Sequence, residues 1–221
     1  MITPRADTLA ANLKTLYYSE RAKPLLFHGW HHIYLTAVKS VEFAAEFPEV
    51  DKEIIQAAAL VHDLNYIVKT NSEPEIGEQL RKTYLDEASF SEGEIAIIER
   101  LVLEAHTATR SAAISDAAKA LSDADSLFKV LPLTPILFSS HYLTENKVGL
   151  EEWADKIIRE QKPLMDEDIY FYTKVANDSY LRWAKTNLAL VEQVKEALSD
   201  PAIKEILDIA QELEAVRTKH S

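Results

Sequence analysis

The chain contains only four glycines in 221 residues, and this scarcity constrains its fold more than any other feature. Tight hairpins and glycine-rich phosphate loops need residues at positive φ or a close approach of the backbone, both of which glycine allows. The sequence therefore disfavours hairpins and nucleotide-binding loops. Apolar residues recur at helical spacing along almost the whole chain. Together, these two observations predict an all-α protein.

The composition limits the kind of partner that we expect. Hydrophobic residues make up 47% of the chain, enough for a substantial core. The net charge of −12 disfavours polymeric nucleic acid, because proteins that bind its phosphates carry basic surfaces. A small phosphorylated substrate remains compatible, since a metal ion can supply local positive charge.

The chain has no cysteine, which excludes disulfides, thiolate catalysis and cysteine-ligated metal sites. No apolar run approaches the length of a membrane span, and no apolar signal segment is recognisable near the first residue. We therefore expect a cytoplasmic protein that does not interact with membranes.

Local signals predict several helix boundaries. One helix begins near Asp51, and His62 falls seven residues after Ile55 on its apolar face. A serine followed three residues later by a glutamate is typical of a capping box at a helix start. Two pairs of this kind are interpreted as helix starts, and the second of the two helices is predicted to extend to His106. The two pairs are Ser72 with Glu75 and Ser91 with Glu94.

We expect one domain over residues 1–221, with a helical core at about 20–140 and C-terminal helices at about 150–220. The last helix is predicted to have Asp200 as its N-cap and Pro201 at its first position, where a proline is tolerated. An all-helical chain with a long apolar C-terminal region could also pair with itself as a homodimer.

Histidines and aspartates occur in an order that suggests a metal site. His28 and His32 are four residues apart, so they share one helix face or lie at a helix entrance. His62 and Asp63 follow an apolar run, and Asp125 comes much later in Asp-Ala-Asp. Imidazole nitrogens and carboxylate oxygens are suitable ligands for borderline divalent cations. A lone histidine on an apolar face is more often a hydrogen-bonded core residue, but the ordered set favours a shared site.

This set resembles the HD superfamily of metal-dependent phosphohydrolases. The apolar run 57–61 before the His-Asp pair and the segment 123–127 resemble the motifs of that family, whose second aspartate is the usual ligand. Uncharacterised HD proteins of about this length have similar features, which here are the segments 27–33 and 184–188 and Tyr66. The resemblance covers roughly residues 15–195.

The resemblance implies an HD-domain helical bundle with a C-terminal helical extension. It also implies one divalent metal ion, which could be Mn, Mg, Co, Ni, Fe or Zn. The implied metal ligands are His32, His62, Asp63 and Asp125.

The resemblance also implies residues that act on the substrate. Asp63 would accept a proton from the attacking water, and His106 would contact the substrate phosphate and share in catalysis. His28 would contact the phosphate too, or orient His32. The family often has an arginine two or three residues before its first histidine; the nearest here is Arg21, several residues further away, which is the candidate for that phosphate contact.

The implied activity is hydrolysis of a small phosphorylated metabolite, with a nucleotide as the expected substrate class. Two alternatives remain. HD-type di-iron oxygenases generally add two histidines between the His-Asp pair and the last aspartate, whereas His106 is the only histidine between Asp63 and Asp125. A non-catalytic nucleotide-binding helical protein would usually lack at least one ligand, and here the set is complete.

Overall fold

The computed structural model describes residues 4–106, 110 and 113–218, without the side chains of 211 and 214–218. No strand occurs in this part of the chain, so the prediction of an all-α fold is confirmed. The helices are α1 (Pro4–Tyr17), α2 (Trp30–Phe43), α3 (Lys52–Val61), α4 (Leu64–Val68), α5 (Glu78–Glu87), α6 (Glu92–Ala105), α7 (Asp116–Val130), α8 (Ser139–Asn146), α9 (Leu150–Asp166), α10 (Lys174–Ala197) and α11 (Pro201–Thr218).

Helix α2 packs against both α3 and α7 in the main core. Every residue of α3 from Ile54 to Val61 is buried, which is typical of a helix surrounded by protein on all sides. Helices α1 and α6 cover α3. Full burial of a side chain such as Leu60 stabilises the fold by about 1.5–3 kcal/mol. This packing brings the first turn of α2 close to the end of α3 and the middle of α7.

Local capping explains most of the helix starts that matter for the site. The carboxylate of Asp51 accepts hydrogen bonds from the amides of Glu53 and Ile54, so the predicted start of α3 is confirmed. Ser91 and Glu94 form the predicted capping box at the start of α6. Caps of this kind typically contribute about 1 kcal/mol each.

The other predicted capping box, at Ser72, is wrong. The Ser72 hydroxyl donates to the carbonyl oxygen of Asn65 at 3.2 Å, and a short 3-10 helix follows at Pro74–Gly77 before α5 begins. This turn packs closely on α4, because a Cβ at Gly77 would lie 2.6 Å from the amide nitrogen of Asn65. Ser72 is therefore held by a tertiary contact with α4 and does not cap a helix.

The C-terminal helices pack beside the main core. Helices α9 and α10 pack together around a small apolar cluster that includes Trp153 and Val191, and α10 also contacts α7. The Ala202 amide donates to the Asp200 carboxylate at 2.8 Å, which confirms the predicted cap of α11. None of the helices in the described part of the chain is both long enough and apolar enough to cross a membrane.

A buried ion pair fastens α7 to the segment before α10. Asp123 is fully buried on α7, and its carboxylate accepts a hydrogen bond from Arg110 at 2.5 Å. The same carboxylate accepts from the backbone amides of Tyr172 at 3.0 Å and Thr173 at 2.7 Å. Arg110 also donates to the Tyr170 carbonyl oxygen. Asp123 therefore holds the chain together and does not face the cluster that Asp125 joins.

Candidate metal centre and adjoining cavity

The break between α3 and α4 positions His62 and Asp63. Helix α3 ends at Val61 and α4 begins at Leu64, so His62 caps α3 and does not lie within it as the sequence predicted. Asp63 has φ −100° and ψ 13°, in a sparsely populated region where many active-site residues are found. Neighbouring side chains on a continuous helix diverge by about 100°. Because the helix is interrupted, these two side chains point to one place.

The structure brings together all four side chains that the sequence analysis proposed as ligands. His32 Nε2 lies 3.2 Å from His62 Nε2, 3.1 Å from Asp63 Oδ2 and 3.3 Å from Asp125 Oδ1. His62 Nε2 lies 3.3 Å from Asp63 Oδ2 and 3.8 Å from Asp125 Oδ1. Helix α2, the α3–α4 junction and α7 each contribute to this cluster. Within the part of the chain that the structure describes, His32, His62 and Asp63 form the one group with metal-site spacing.

The donor atoms of this cluster fit a divalent metal ion. Ligands held at about 2.0–2.1 Å from one ion lie roughly 3.0–3.4 Å apart, which matches most of these separations. Asp63 Oδ2 is buried, yet it makes no hydrogen bond of normal geometry to any described residue. The Nδ1 atom of His62 lies 2.7 Å from the Ala59 carbonyl oxygen. A carbonyl only accepts, so Nδ1 carries a proton, and Nε2 is the ring nitrogen that can bind a metal.

Attraction between the histidines and the aspartates of the cluster shifts their pKa values. Burial lowers the pKa of His62, but the negative charges of Asp63 and Asp125 raise it more, to about 10. Burial raises the pKa of Asp63, and the positive charge of His62 outweighs this effect and lowers it below its usual range. The two carboxylates thus need compensating positive charge. A divalent cation can supply it in place of the protons on the histidines.

A small cavity of about 60 Å³ opens beside the cluster. It has room for a few water molecules or for one phosphoryl group and a water. His62, Asp63 and Asp125 form one wall of this cavity. Three basic side chains that are not part of the cluster also line it. They are His28, His106 and Lys129.

His28 and His106 therefore lie where the sequence analysis placed them, beside the proposed ligands. His106 caps the end of α6, as expected from the Ser91 capping box. Arg21 does not reach the cavity. Its side chain is exposed on the short turn Glu20–Ala22, and its charge acts on Tyr84. Arg21 is not among the residues that line this cavity or the larger one next to it, so the structure gives no support to the predicted phosphate contact.

Sequence reasoning missed Lys129. This residue follows Asp125 by four positions on α7, and its Nζ lies 3.0 Å from Asp125 Oδ2. An aspartate and a lysine four residues apart on a helix are neighbours, so the spacing itself was a usable signal. Lys129 thereby contacts one proposed ligand and lines the cavity as well.

Sequence reasoning also missed Glu145. Its side chain is 1% exposed, and Oε1 makes a short hydrogen bond with Nδ1 of His28. Burial raises the pKa of Glu145, but the hydrogen bonds from His28 and from backbone amides lower it more, so the net shift is downward. The two residues are 117 positions apart, and nothing in the local sequence indicates the contact.

A larger cavity of about 580 Å³ adjoins the small one. The two cavities share His28, Tyr66, His106 and Lys129 as lining residues. Most of the remaining wall comes from residues after 130, on helices α8, α9 and α10. The C-terminal helices thus form most of the space next to the cluster.

Comparisons with known proteins agree with the fold and the cluster. The described residues form an all-α protein with a buried His/Asp group of the kind that holds a divalent metal. The family model of the HD domain matches residues 29–129, a segment that includes all four clustered side chains. This segment is similar to the HD domain, a family whose members typically bind divalent metals and are generally hydrolases. No match was found among curated proteins or among solved structures.

Proposed function

We propose that this protein is a metal-dependent phosphohydrolase that acts on a small phosphorylated metabolite. The observation that carries the proposal is the pairing of the His/Asp cluster with a phosphoryl-sized cavity whose other polar walls include His28, His106 and Lys129. A divalent metal, when bound by the cluster, supplies Lewis acidity and lowers the pKa of a bound water. The basic side chains favour an anionic group in the same cavity.

The residues of the chain then have distinct tasks. Asp63 lies beside the position of the attacking water, and its carboxylate can accept the proton that the water loses. Lys129, His28 and His106 donate hydrogen bonds to phosphoryl oxygens and stabilise the charge that develops there. Apolar side chains such as Val102 and Leu121 line the same cavity and keep bulk water away, which strengthens these interactions.

The adjoining cavity indicates the size of the substrate. Its volume of about 580 Å³ lies within the range of about 300–1,000 Å³ that is typical of small-molecule sites. We propose a nucleotide or a metabolite of similar size, with the phosphate at the cluster and the organic group in the larger cavity. The net charge of −12 disfavours a nucleic-acid polymer.

The proposal is tested by a phosphate-release screen of the purified protein. The protein is loaded separately with Mn²⁺, Mg²⁺, Co²⁺, Ni²⁺, Fe²⁺ and Zn²⁺, and offered nucleoside monophosphates and sugar phosphates. We expect hydrolysis that depends on the metal and stops when a chelator is added. Metal binding without any phosphate release would favour a non-catalytic nucleotide-binding protein. Two irons per chain with oxygen consumption would favour the oxygenase.

Replacement of His106 separates substrate contact from metal binding. His106→Ala is expected to keep a near-normal metal content and to lose about 10²–10³ in turnover, because one well-placed donor to developing charge contributes that much. Metal analysis and initial rates check both parts. His141→Ala is a matched control, since His141 does not line the cavities described above.

Two results would contradict this assignment. Loss of metal from His106→Ala would make His106 a ligand and would revive the two-metal alternative. Unchanged turnover would leave His106 as a residue that only caps α6, where a histidine can interact with free carbonyl groups and the helix dipole.

A further inference from the structure

Glu145 holds both the ring and the backbone of the His28 segment. Oε2 accepts hydrogen bonds from the amide of Phe27 at 2.7 Å and from the amide of His28 at 3.2 Å. Oε1 binds Nδ1 of the His28 ring. Glu145 lies on α8, which is outside the matched HD segment 29–129. One buried carboxylate thus fixes the residues that immediately precede α2.

The contact with Glu145 decides which ring nitrogen of His28 can meet a ligand. A carboxylate oxygen accepts, so the proton of this hydrogen bond is on Nδ1. Nδ1 is thereby committed, and Nε2 is the ring nitrogen that remains for the cavity. The ring is also held from the sides, because its centroid lies 4.4 Å from that of Tyr66 and 5.1 Å from that of Phe27. His28 and Tyr66 both line the small cavity.

The surroundings of Glu145 are unfavourable for a carboxylate that no charged or polar group compensates. The ring of Phe27 packs edge-on against Phe128 and Tyr142, so this part of the protein is largely apolar. A buried carboxylate is costly unless charged or polar groups compensate it. Here the compensation comes from the backbone amides of Phe27 and His28 and from the imidazole of His28, a residue that also lines the small cavity. A carboxylate behind a histidine typically sets its tautomer and orientation.

We propose that Glu145 is a positioning residue that directs Nε2 of His28 at the phosphoryl group of the substrate. This inference rests on the proposed phosphohydrolase function. In its protonated form, His28 donates from Nε2 to a phosphoryl oxygen while Nδ1 donates to Glu145. Helix α8 thereby completes a phosphate subsite that the matched HD segment does not contain by itself.

The test compares Glu145→Gln, His28→Ala and the double variant. The amide of Glu145→Gln keeps the shape of the side chain and removes its charge. Loss of a positioning carboxylate typically costs about 10–100-fold in activity, and we expect a fall of that size in kcat with unchanged metal content. Because Glu145 acts through His28, adding Glu145→Gln to His28→Ala is expected to cause no further loss. The proposal would be overturned if the loss of kcat in the double variant equalled the product of the losses in the two single variants.

Glu99→Gln is the matched control for stability. Glu99 is also a largely buried glutamate in an ion pair, 2.6 Å from the fully buried Arg81, and it does not line either cavity. We expect Glu99→Gln to lower the melting temperature while kcat per folded molecule stays the same. Equal loss of kcat in Glu99→Gln and Glu145→Gln would show that Glu145 acts only through stability.

A second measurement does not depend on turnover. Calorimetry gives the affinity of the metal-loaded protein for inorganic phosphate, and ¹⁵N NMR of His28 reports whether Nδ1 carries the proton. We expect Glu145→Gln and His28→Ala to weaken phosphate binding by the same factor, and Glu145→Gln to change the NMR signals of His28. Phosphate binding that is absent in the unmodified protein, or unchanged in both variants, would overturn the inference.

The two measurements separate this inference from the proposed function. If no ester is hydrolysed but the phosphate affinities change together, the phosphohydrolase proposal fails and the positioning role stands. If esters are hydrolysed and Glu145→Gln behaves like Glu99→Gln, the function stands and the positioning role fails.

Discussion

Asp63→Ala is expected to abolish metal binding and to lower phosphate release by about a thousand-fold or more, while the protein stays folded. Asp63 contributes one donor atom to the cluster and lies beside the attacking water in the proposed mechanism. Metal catalysis supplies several kcal/mol of transition-state stabilisation, and each 1.36 kcal/mol is a tenfold change in rate. Metal analysis, initial rates and circular dichroism measure the three expected results.

Folding should survive this substitution because α3 is anchored elsewhere. Ile55, Ala58 and Ala59 are fully buried on α3 and do not depend on Asp63. Asp116→Ala is the control, since Asp116 is 41% exposed and pairs with Lys119 at the surface. An unfolded Asp63→Ala protein that had never bound metal would show that Asp63 is needed for the structure.

Asp123→Ala is expected to have the largest effect on stability. Removing one partner of a buried ion pair leaves the other charge buried without compensation, which costs about 3–5 kcal/mol. Here Arg110 has a side chain that is only 2% exposed, and the amides of Tyr172 and Thr173 would also lose their acceptor. For a chain of this length, the melting temperature should fall by about 6–20 °C.

Asp125→Ala is the matched comparison, because Asp125 belongs to the same Asp-Ala-Asp segment. We expect Asp125→Ala to lose metal affinity and, in the presence of a chelator, to lower the melting temperature less than Asp123→Ala does. The folded fraction of Asp123→Ala should still bind metal. The opposite result would be loss of metal from a fully stable Asp123→Ala and unfolding of Asp125→Ala. It would make Asp123 the metal ligand and Asp125 the structural residue.

The helices were predictable where local sequence determines them. The Ser91 capping box and the Asp51 cap involve residues within three positions of each other, so the pattern alone is sufficient. The Ser72 prediction failed because a contact with Asn65 on another helix fixes that serine. The break after Val61 was also missed, since the apolar run continues through it without a glycine or a proline.

The candidate site was predictable to the extent that its residues have distinctive side chains in a recognisable order. His62, Asp63 and Asp125 stood out for this reason. Glu145 did not, because one glutamate in a polar helical segment has the same local pattern as a surface residue, and its partner is 117 positions away. Arg21 was proposed only because it is the arginine nearest to the first histidines in the sequence, and its side chain is exposed.

The position of the bound metal is the sharpest test of the proposed four-ligand site. Crystals of the protein loaded with Mn²⁺ or Zn²⁺ would be measured at the absorption edge of the metal. We predict one anomalous peak per chain, within about 2.0–2.5 Å of Nε2 of His32, Nε2 of His62 and carboxylate oxygens of Asp63 and Asp125. A peak elsewhere, or no peak at a saturating metal concentration, would contradict the account.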